Sequence, residues 1–275
     1  MTFIQALILG IIQGLTEFLP ISSSAHLVIA PYLLGWTIPE QQVLPFDVLV
    51  QLGTLLAVIV YFWADLWAIL KAFIGGLVRL KPFEDPLARQ GWLLILASIP
   101  AGLAGLLLKK MVDQAFQSVA ATGVFLLVTA LILTVAEWLG KHRRSLDTLG
   151  WLDAVVMGIG QALAIFPGIS RSGATMAGGI VRDLDRTAAA RFSFLMSIPI
   201  MLAAGGVEIK DVLNIPGLSG MIPMIGVGFL AAAVVGYLSI RWLLRFVTTH
   251  SLRPFAVYCT ALGILVLILY GLFPH

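Results

Sequence analysis

The chain has 275 residues, of which 60% are hydrophobic and 11% charged, with a formal net charge of +3 and a mean hydropathy of +1.01. Because a soluble domain carries about 25% charged residues, this composition excludes a water-soluble fold, and it also excludes a disordered or fibrous chain. A single cysteine, Cys259, permits no internal disulfide. The composition predicts an all-α polytopic membrane protein, since helices satisfy their own backbone polar groups in lipid.

The chain begins with a helix that is broken in the middle of an apolar region. Apolar residues 1–19 and 27–36 flank a segment that contains Pro20 and three consecutive serines. Proline ends a helix, so the pattern predicts two short helices joined by a loop, a re-entrant hairpin. A second such pattern follows later, where residues 151–166 and 174–181 flank a loop at 167–173 that holds a proline and two glycines.

Six uncharged stretches are candidates for complete membrane spans, each of which needs about 20 mostly apolar residues. They are residues 48–64, 90–108, 114–136, 192–207, 221–240 and 254–274. Residues 66–80 contain Lys71 and Arg79, and either an interfacial helix or a further span fits them. The predicted fold therefore has at least six full spans and two re-entrant hairpins.

The basic residues predict how these elements are oriented. Thirteen of the 17 Lys and Arg residues fall in four connecting segments, 64–91, 140–150, 182–191 and 241–253. The positive-inside rule places these segments in the cytoplasm, and the six spans then alternate without conflict. The first hairpin enters from outside and the second from the cytoplasm, so their loops point at each other. The basic residues are scattered between apolar runs, and no nucleic-acid partner is expected.

The two hairpins also resemble each other in sequence. At an offset of 148 residues, eight of the 15 positions from 10 to 24 are identical, including Gln13 with Gln161 and Ser22 with Ser170. Together with the opposed orientation, this predicts an inverted-topology repeat within a single membrane domain, 1–275, with halves of about 1–140 and 141–275. Two unrelated helix breaks are the alternative.

The first hairpin carries a polar group that an apolar helix does not need. Glu17 is the only Asp, Glu, Lys or Arg among the first 39 residues, and Gln13 shares its helix face. Three hydroxyls and an imidazole follow, from Ser22, Ser23, Ser24 and His26. One or two of these serines are expected to cap the second short helix, which leaves at least one free to react. His26 lies one turn beyond Ser22 and Ser23, within reach of proton exchange with them.

The second hairpin carries an anion-binding pattern. Its loop and the helix start that follows offer Ser170, Arg171, Ser172, Gly173 and Thr175. A helix N-terminus, a guanidinium and several hydroxyls make a phosphate cradle, although not a P-loop. A snorkelling arginine is the alternative, which the depth of Arg171 in its hairpin disfavours.

Opposed loops would bring Glu17, the serines and His26 against Arg171. A carboxylate, a nucleophile, an acid and an anion clamp together indicate phosphoryl transfer or phosphate-ester hydrolysis. A secondary transporter or lipid-phosphate flippase with a midplane anion site is the alternative, because inverted repeats are typical of transporters. A structural scaffold would explain neither Arg171 nor the serine cluster.

The segments 13–26 and 167–175 resemble the two signature motifs of the undecaprenyl-diphosphate phosphatase family, bacterial integral-membrane enzymes linked to bacitracin resistance. The resemblance implies hydrolysis of the C55 polyprenyl diphosphate to its monophosphate and inorganic phosphate, which recycles the lipid carrier of cell-wall synthesis. It implies a multi-pass protein of the bacterial inner membrane with its site open to the periplasm, and dependence on Mg²⁺ or Ca²⁺.

The resemblance also implies roles for individual residues. Glu17 would be the essential carboxylate and metal ligand, His26 an acid or base, and Arg171 the diphosphate clamp. Ser23 would be the nucleophile, with direct attack by water as the alternative. The substrate-binding candidates are Gln13, Ser22, Ser24, Ser170, Ser172, Gly173 and Thr175. Many members of the family have Glu where this chain has Gln13, so a mechanism that needs two carboxylates on this helix is in doubt. Small residues at Gly102, Gly105, Gly226 and Gly228 permit close helix packing and are compatible with a homodimer.

Overall fold

A computed structural model describes residues 1–116, 118–215 and 217–272, and within these ranges the regular structure is helical. The helices of this part of the chain are α1 (Phe3–Phe18), α2 (Ser23–Leu34), α3 (Glu40–Tyr61), α4 (Trp63–Val78), α5 (Pro86–Leu107), α6 (Lys109–Phe116), α7 (Val119–Leu139), α8 (Trp151–Leu163), α9 (Arg171–Val181), α10 (Arg186–Leu213), α11 (Leu218–Phe246) and α12 (Arg253–Leu272). A short 3₁₀ turn, Leu146–Thr148, precedes α8.

Six of the described helices are long and apolar enough to cross a membrane, which confirms the six predicted spans. They are α3, α5, α7, α10, α11 and α12. The predicted span 114–136 starts too early, because Ser118 caps α7 by accepting a hydrogen bond from the Ala121 N–H at 3.1 Å, and residues 109–116 form the separate helix α6. The predicted segment 66–80 lies mostly in α4, which has 16 residues and packs on α5. A helix of 16 residues is about 24 Å long, which is shorter than the hydrocarbon core of a bilayer is thick.

Both predicted hairpins are present as pairs of short helices joined by loops. In each pair the second helix begins earlier than its apolar pattern suggests, at Ser23 and at Arg171, because the serine before it caps the helix. The Ser22 hydroxyl accepts from the Ala25 N–H at 3.4 Å, and the Ser170 hydroxyl accepts from the Gly173 N–H at 3.1 Å.

Small residues set how closely the hairpins pack on the spanning helices. A Cβ at Gly10 of α1 would lie 2.4 Å from the Gly228 backbone oxygen of α11, and a Cβ at Gly158 of α8 would lie 2.6 Å from the Ala97 oxygen of α5. These two glycines are equivalent at the 148-residue offset, so the matched contacts favour the inverted repeat, which itself stays a prediction. Among the four glycines expected at close contacts, only Gly228 has neighbours within 4 Å of an added Cβ; Gly102, Gly105 and Gly226 have open space.

The four basic connecting segments lie at one face of the helix bundle, as the charge pattern predicts. Two contacts join segments directly, Arg191 with Asp65 at 3.0 Å and the Arg144 guanidinium with the Arg182 carbonyl at 2.9 Å. Glu137, near the end of α7, bridges two segments, since its carboxylate accepts from the Leu252 N–H at 2.8 Å and from Arg186. The ends of α3, α7, α10 and α11 next to these segments therefore lie at one face, which is the arrangement that alternating spans require; the alternation itself stays a prediction.

Candidate active site

The two hairpin loops meet inside the helix bundle. The Arg171 Nη2 donates to Glu17 Oε1 at 2.6 Å, and the Ser172 hydroxyl donates to the Leu19 carbonyl at 2.9 Å. Both contacts join residues more than 150 positions apart, and the Arg171 and Glu17 side chains are only 17% and 6% exposed. The predicted convergence of the carboxylate and the guanidinium is therefore present as a direct, largely buried ion pair.

Glu17 is the centre of the polar cluster at this junction. Its Oε2 accepts from the Ser23 hydroxyl at 2.6 Å and from Gln13 Nε2 at 2.9 Å, while Oε1 holds Arg171. Gln13 reaches Glu17 because they are one helical turn apart on α1. The three donors occupy both oxygens of this carboxylate, so Glu17 links the two hairpins and the serine turn.

The three consecutive serines have different partners, which the sequence alone leaves open. Ser22 caps α2, has a positive φ of 69°, and its hydroxyl lies 3.2 Å from that of Ser24. Ser23 is thereby left as the serine whose hydroxyl faces a base, the Glu17 carboxylate. A hydroxyl hydrogen-bonded to a carboxylate is the arrangement of an activated nucleophile.

The second loop is held by a spanning helix that its own sequence does not reveal. Thr129 of α7 donates its hydroxyl to the Gly168 carbonyl at 2.8 Å and accepts the Ser170 N–H at 2.9 Å. Gly168 has φ +103°, and a Cβ there would lie 2.6 Å from the Thr122 oxygen, so both the turn and the close approach require glycine. These contacts fix the start of α9 and with it Arg171.

Some predicted substrate-binding hydroxyls have partners within the protein. The Thr175 hydroxyl donates to the Arg171 carbonyl at 2.7 Å and lies 2.6 Å from the buried Ser193 hydroxyl of α10. The Ser170 and Ser172 hydroxyls lie 3.2 Å apart and also cap α9 and bridge the hairpins. In this structure these three hydroxyls hold the loops together, and their role toward a substrate stays a prediction.

His26 has contacts other than the expected ones with the serine hydroxyls. Its Nδ1 lies 2.7 Å from the Ser22 backbone carbonyl, and its Nε2 lies 2.7 Å from the hydroxyl of Tyr258 on α12. The imidazole is therefore anchored on both nitrogens, to the turn that precedes Ser23 and to a tyrosine that sequence reasoning missed.

Two polar atoms of the cluster are buried without a partner in the structure. They are Gln13 Oε1, an acceptor, and Arg171 Nη1, a donor, and each belongs to a side chain already fixed on Glu17. Buried polar groups are normally paired, so these two atoms are available to a ligand. Such a ligand would accept a hydrogen bond from Arg171 Nη1, and it would donate one to Gln13 Oε1 or place a cation there. Gln161, the counterpart of Gln13 in the predicted repeat, is also buried with both amide atoms unpartnered.

The site residues that sequence reasoning missed all lie on spanning helices. Thr129 holds the second loop, Ser193 holds Thr175, Tyr258 binds His26, and the thiol of Cys259 lies 3.7 Å from the Pro20 carbonyl at the first loop. Threonine, serine and tyrosine are common in membrane helices, so no local signal distinguishes these positions; only their place in the bundle does.

The chain is similar over nearly its whole length to a known family and to several curated sequences. The profile of the family described as "Bacitracin resistance protein BacA" matches residues 6–265. A protein of Nocardioides sp. named "Undecaprenyl-diphosphatase" is 45% identical over 267 residues, which cover 97% of this chain and 96% of the relative. Proteins of the same name from Myxococcus xanthus and Thermomicrobium roseum are each 44% identical, over 98% and 96% of this chain and 89% and 96% of their own lengths.

Proposed function

The chain belongs to the BacA family of bacitracin resistance proteins, and we propose that its polar cluster carries out the family's hydrolysis of undecaprenyl diphosphate. The products are undecaprenyl phosphate and inorganic phosphate, so the enzyme is a membrane hydrolase that returns the lipid carrier to cell-wall synthesis. The observation that carries the assignment of the site is the chain of contacts from Ser23 to Glu17 to Arg171. It joins a nucleophile, a base and an anion-binding group in one buried cluster.

The contacts suggest a role for each side chain in the reaction. The Ser23 oxygen attacks the terminal phosphorus while its proton passes to Glu17 Oε2, and the bond from that phosphorus to the bridging oxygen breaks. Undecaprenyl phosphate leaves, and water then attacks the phosphoserine, which releases inorganic phosphate and restores the Ser23 hydroxyl. Arg171 Nη1, buried and unpartnered, binds a phosphate oxygen as charge develops there.

A direct attack by water, with Glu17 as the base, uses the same side chains except Ser23. The two routes differ in a covalent intermediate, so a rapid acid quench of wild type turning over a terminally labelled diphosphate is the test. Label retained on the protein, and lost in Ser23→Ala, supports the serine route; an unlabelled wild type with an active Ser23→Ala variant supports water. Ser239→Ala is the control, since that hydroxyl bonds within its own helix, to the Val235 carbonyl.

The alternative of a transporter or flippase makes a different prediction for purified protein. In detergent there is no sealed membrane, so a transporter without phosphatase activity releases no inorganic phosphate. We expect phosphate release from undecaprenyl diphosphate under these conditions. The names of the relatives favour this outcome.

We also propose that the reaction depends on Mg²⁺ or Ca²⁺. Within the part of the chain that the structure describes, no group of three or more His, Cys, Asp or Glu side chains could hold a metal ion. The Glu17 carboxylate and the unpartnered Gln13 Oε1 nevertheless offer hard oxygen ligands from one helix face, and substrate oxygens would complete the shell. A bound cation would supply charge neutralisation for the diphosphate.

The cation proposal predicts a titratable difference between variants. Chelator should abolish phosphate release, and Gln13→Glu, which replaces the amide by a second carboxylate, should lower the cation concentration needed for half-maximal activity. Gln51→Glu on the spanning helix α3 controls for an added carboxylate elsewhere in the bundle. Full activity in chelator would refute the dependence.

For the orientation we propose the inner membrane, with the site open to the periplasm and the basic face of the bundle in the cytoplasm. The support is the placement of the four basic segments at one face. A membrane-impermeant thiol reagent on intact spheroplasts should label Thr37→Cys and leave Ser145→Cys unlabelled. The native Cys259 is buried and serves as the internal background. The reverse pattern would refute the orientation.

A homodimer remains part of the proposal through Gly102, Gly105 and Gly226, which have open space on the surface of a single copy. Light scattering of the detergent-purified protein should give the mass of two chains. A Gly105→Leu variant should shift it to one.

A further inference from the structure

The hydrogen bonds of His26 define which ring nitrogen carries the proton. A backbone carbonyl only accepts, so the 2.7 Å contact to the Ser22 carbonyl requires a proton on Nδ1. In the neutral ring Nε2 then carries a lone pair, and the Tyr258 hydroxyl, 2.7 Å away, must be its donor. The two rings are also nearly parallel, at 6°, with their centroids 5.7 Å apart.

From this arrangement we propose that Tyr258 is a positioning residue for the phosphatase, holding His26 in the Nδ1–H tautomer beside the serine turn. The inference rests on the proposed function, since it matters only if His26 takes part in turnover. Tyr258 acts through His26, and its ring and hydroxyl make separate contributions: the ring stacks on the imidazole and the hydroxyl occupies Nε2.

A tyrosine hydroxyl suits this place because it both donates and accepts. It donates to Nε2 when the imidazole is neutral, and its oxygen accepts from Nε2–H when the imidazole is protonated, so one contact fixes the ring in both states. Nε2 is the only basic atom of the Nδ1–H tautomer. Any proton that His26 takes up during turnover therefore enters at the atom that Tyr258 holds.

The position of α12 against the first hairpin supports a role in the site over an incidental contact. The next residue on α12, Cys259, meets the Pro20 carbonyl at the tip of the first loop, as Thr129 of α7 meets Gly168 in the second. Tyr258 is itself 42% exposed, so its hydroxyl is not sealed in the core.

The kinetic test separates positioning from a structural role. Tyr258→Phe keeps the stacked ring and removes the hydroxyl, and we expect it to lower kcat about tenfold, the effect of one ordinary hydrogen bond, with little change in KM. In a His26→Gln background the same substitution should have no further effect, because its route of action is gone. Tyr270→Phe removes a hydroxyl further along the same helix and should retain wild-type kcat.

Two kinetic results would overturn the inference: an unchanged kcat in Tyr258→Phe, or an equal loss in the wild-type and His26→Gln backgrounds. Failure of the proposed function is a separate outcome, in which wild type itself releases no phosphate.

A spectroscopic test does not depend on activity. The chain has four histidines, so ¹⁵N labelling of histidine in the full-length protein gives a countable set of ring signals, with His26 assigned by its loss in His26→Gln. We expect wild-type His26 to have a protonated Nδ1 and an unprotonated Nε2, and the Nε2 signal to shift in Tyr258→Phe. An Nε2–H tautomer in wild type would overturn the proposal.

Discussion

Replacing Arg171 by alanine tests the convergence of the two hairpins. In the structure Nη2 is fixed on Glu17 at 2.6 Å and Nη1 is buried without a partner. The variant loses the anchor of the carboxylate and the bond to the phosphate, and since each charge-assisted hydrogen bond is worth about 1.5–3 kcal/mol, kcat/KM should fall roughly 10²–10⁴-fold. Release of inorganic phosphate from undecaprenyl diphosphate in detergent measures it.

Two further variants test whether the loss of activity arises because the guanidinium offers two nitrogens to two partners. Arg171→Lys keeps the charge but has one nitrogen for two partners, so it should lose activity by roughly 10–100-fold. Arg191→Ala removes an arginine whose ion pair with Asp65 is more than a third exposed on both sides, a pair worth about 0–1 kcal/mol, and should stay within about twofold of wild type. An Arg171→Ala variant with activity within about threefold of wild type would refute the reasoning.

Three further predictions concern stability, each measured by thermal unfolding in detergent. Gly10→Ala should destabilise by about 1–3 kcal/mol because its Cβ would lie 2.4 Å from a backbone oxygen of α11, whereas Gly206→Ala, in open space, should not; equal melting temperatures would contradict the packing. Burial, and next the nearby Arg186 charge, lower the pKa of His142, so the unfolded chain binds a proton at this imidazole more readily than the folded chain does. The free energy of unfolding of wild type should therefore decrease as the pH falls below about 6.5, the ordinary pKa of histidine. His142→Asn should lose less stability over the same pH range. Asp153→Asn should lower the free energy of unfolding by about 1–3 kcal/mol, less than for a fully buried ion pair because the partner arginines, Arg144 and Arg182, are about a third exposed. Asp147 is exposed, and Asp147→Asn should have no measurable effect.

The sequence predicts the local features of this protein well because their causes are local. The two hairpins break at Pro20 and at Pro167 with Gly168, and the absence of charge marks each span. The turn of helix that brings Gln13 to Glu17 is likewise fixed by spacing alone. The predicted first residues of α2, α7 and α9 were wrong, because in each case a serine N-cap determines where the helix begins.

Charge also carried information about position across the membrane. Grouping the basic residues by segment was enough to predict opposed hairpins, and thus the meeting of Glu17 with Arg171 across 154 positions. This long-range contact could be predicted because a helix that spans a bilayer has only two possible orientations, and the basic residues indicate which of the two it adopts.

The tertiary structure decided how the polar groups are paired. Three serines in a row are equivalent in sequence, and only the fold shows that Ser22 caps the helix while Ser23 faces Glu17. His26 was expected beside the serine hydroxyls, yet its ring lies between the Ser22 carbonyl and Tyr258, 232 positions away. Hydrogen bonds reach only about 3 Å and depend on direction, so the choice among neighbouring donors is made by sub-ångström packing of helices that are distant in the chain.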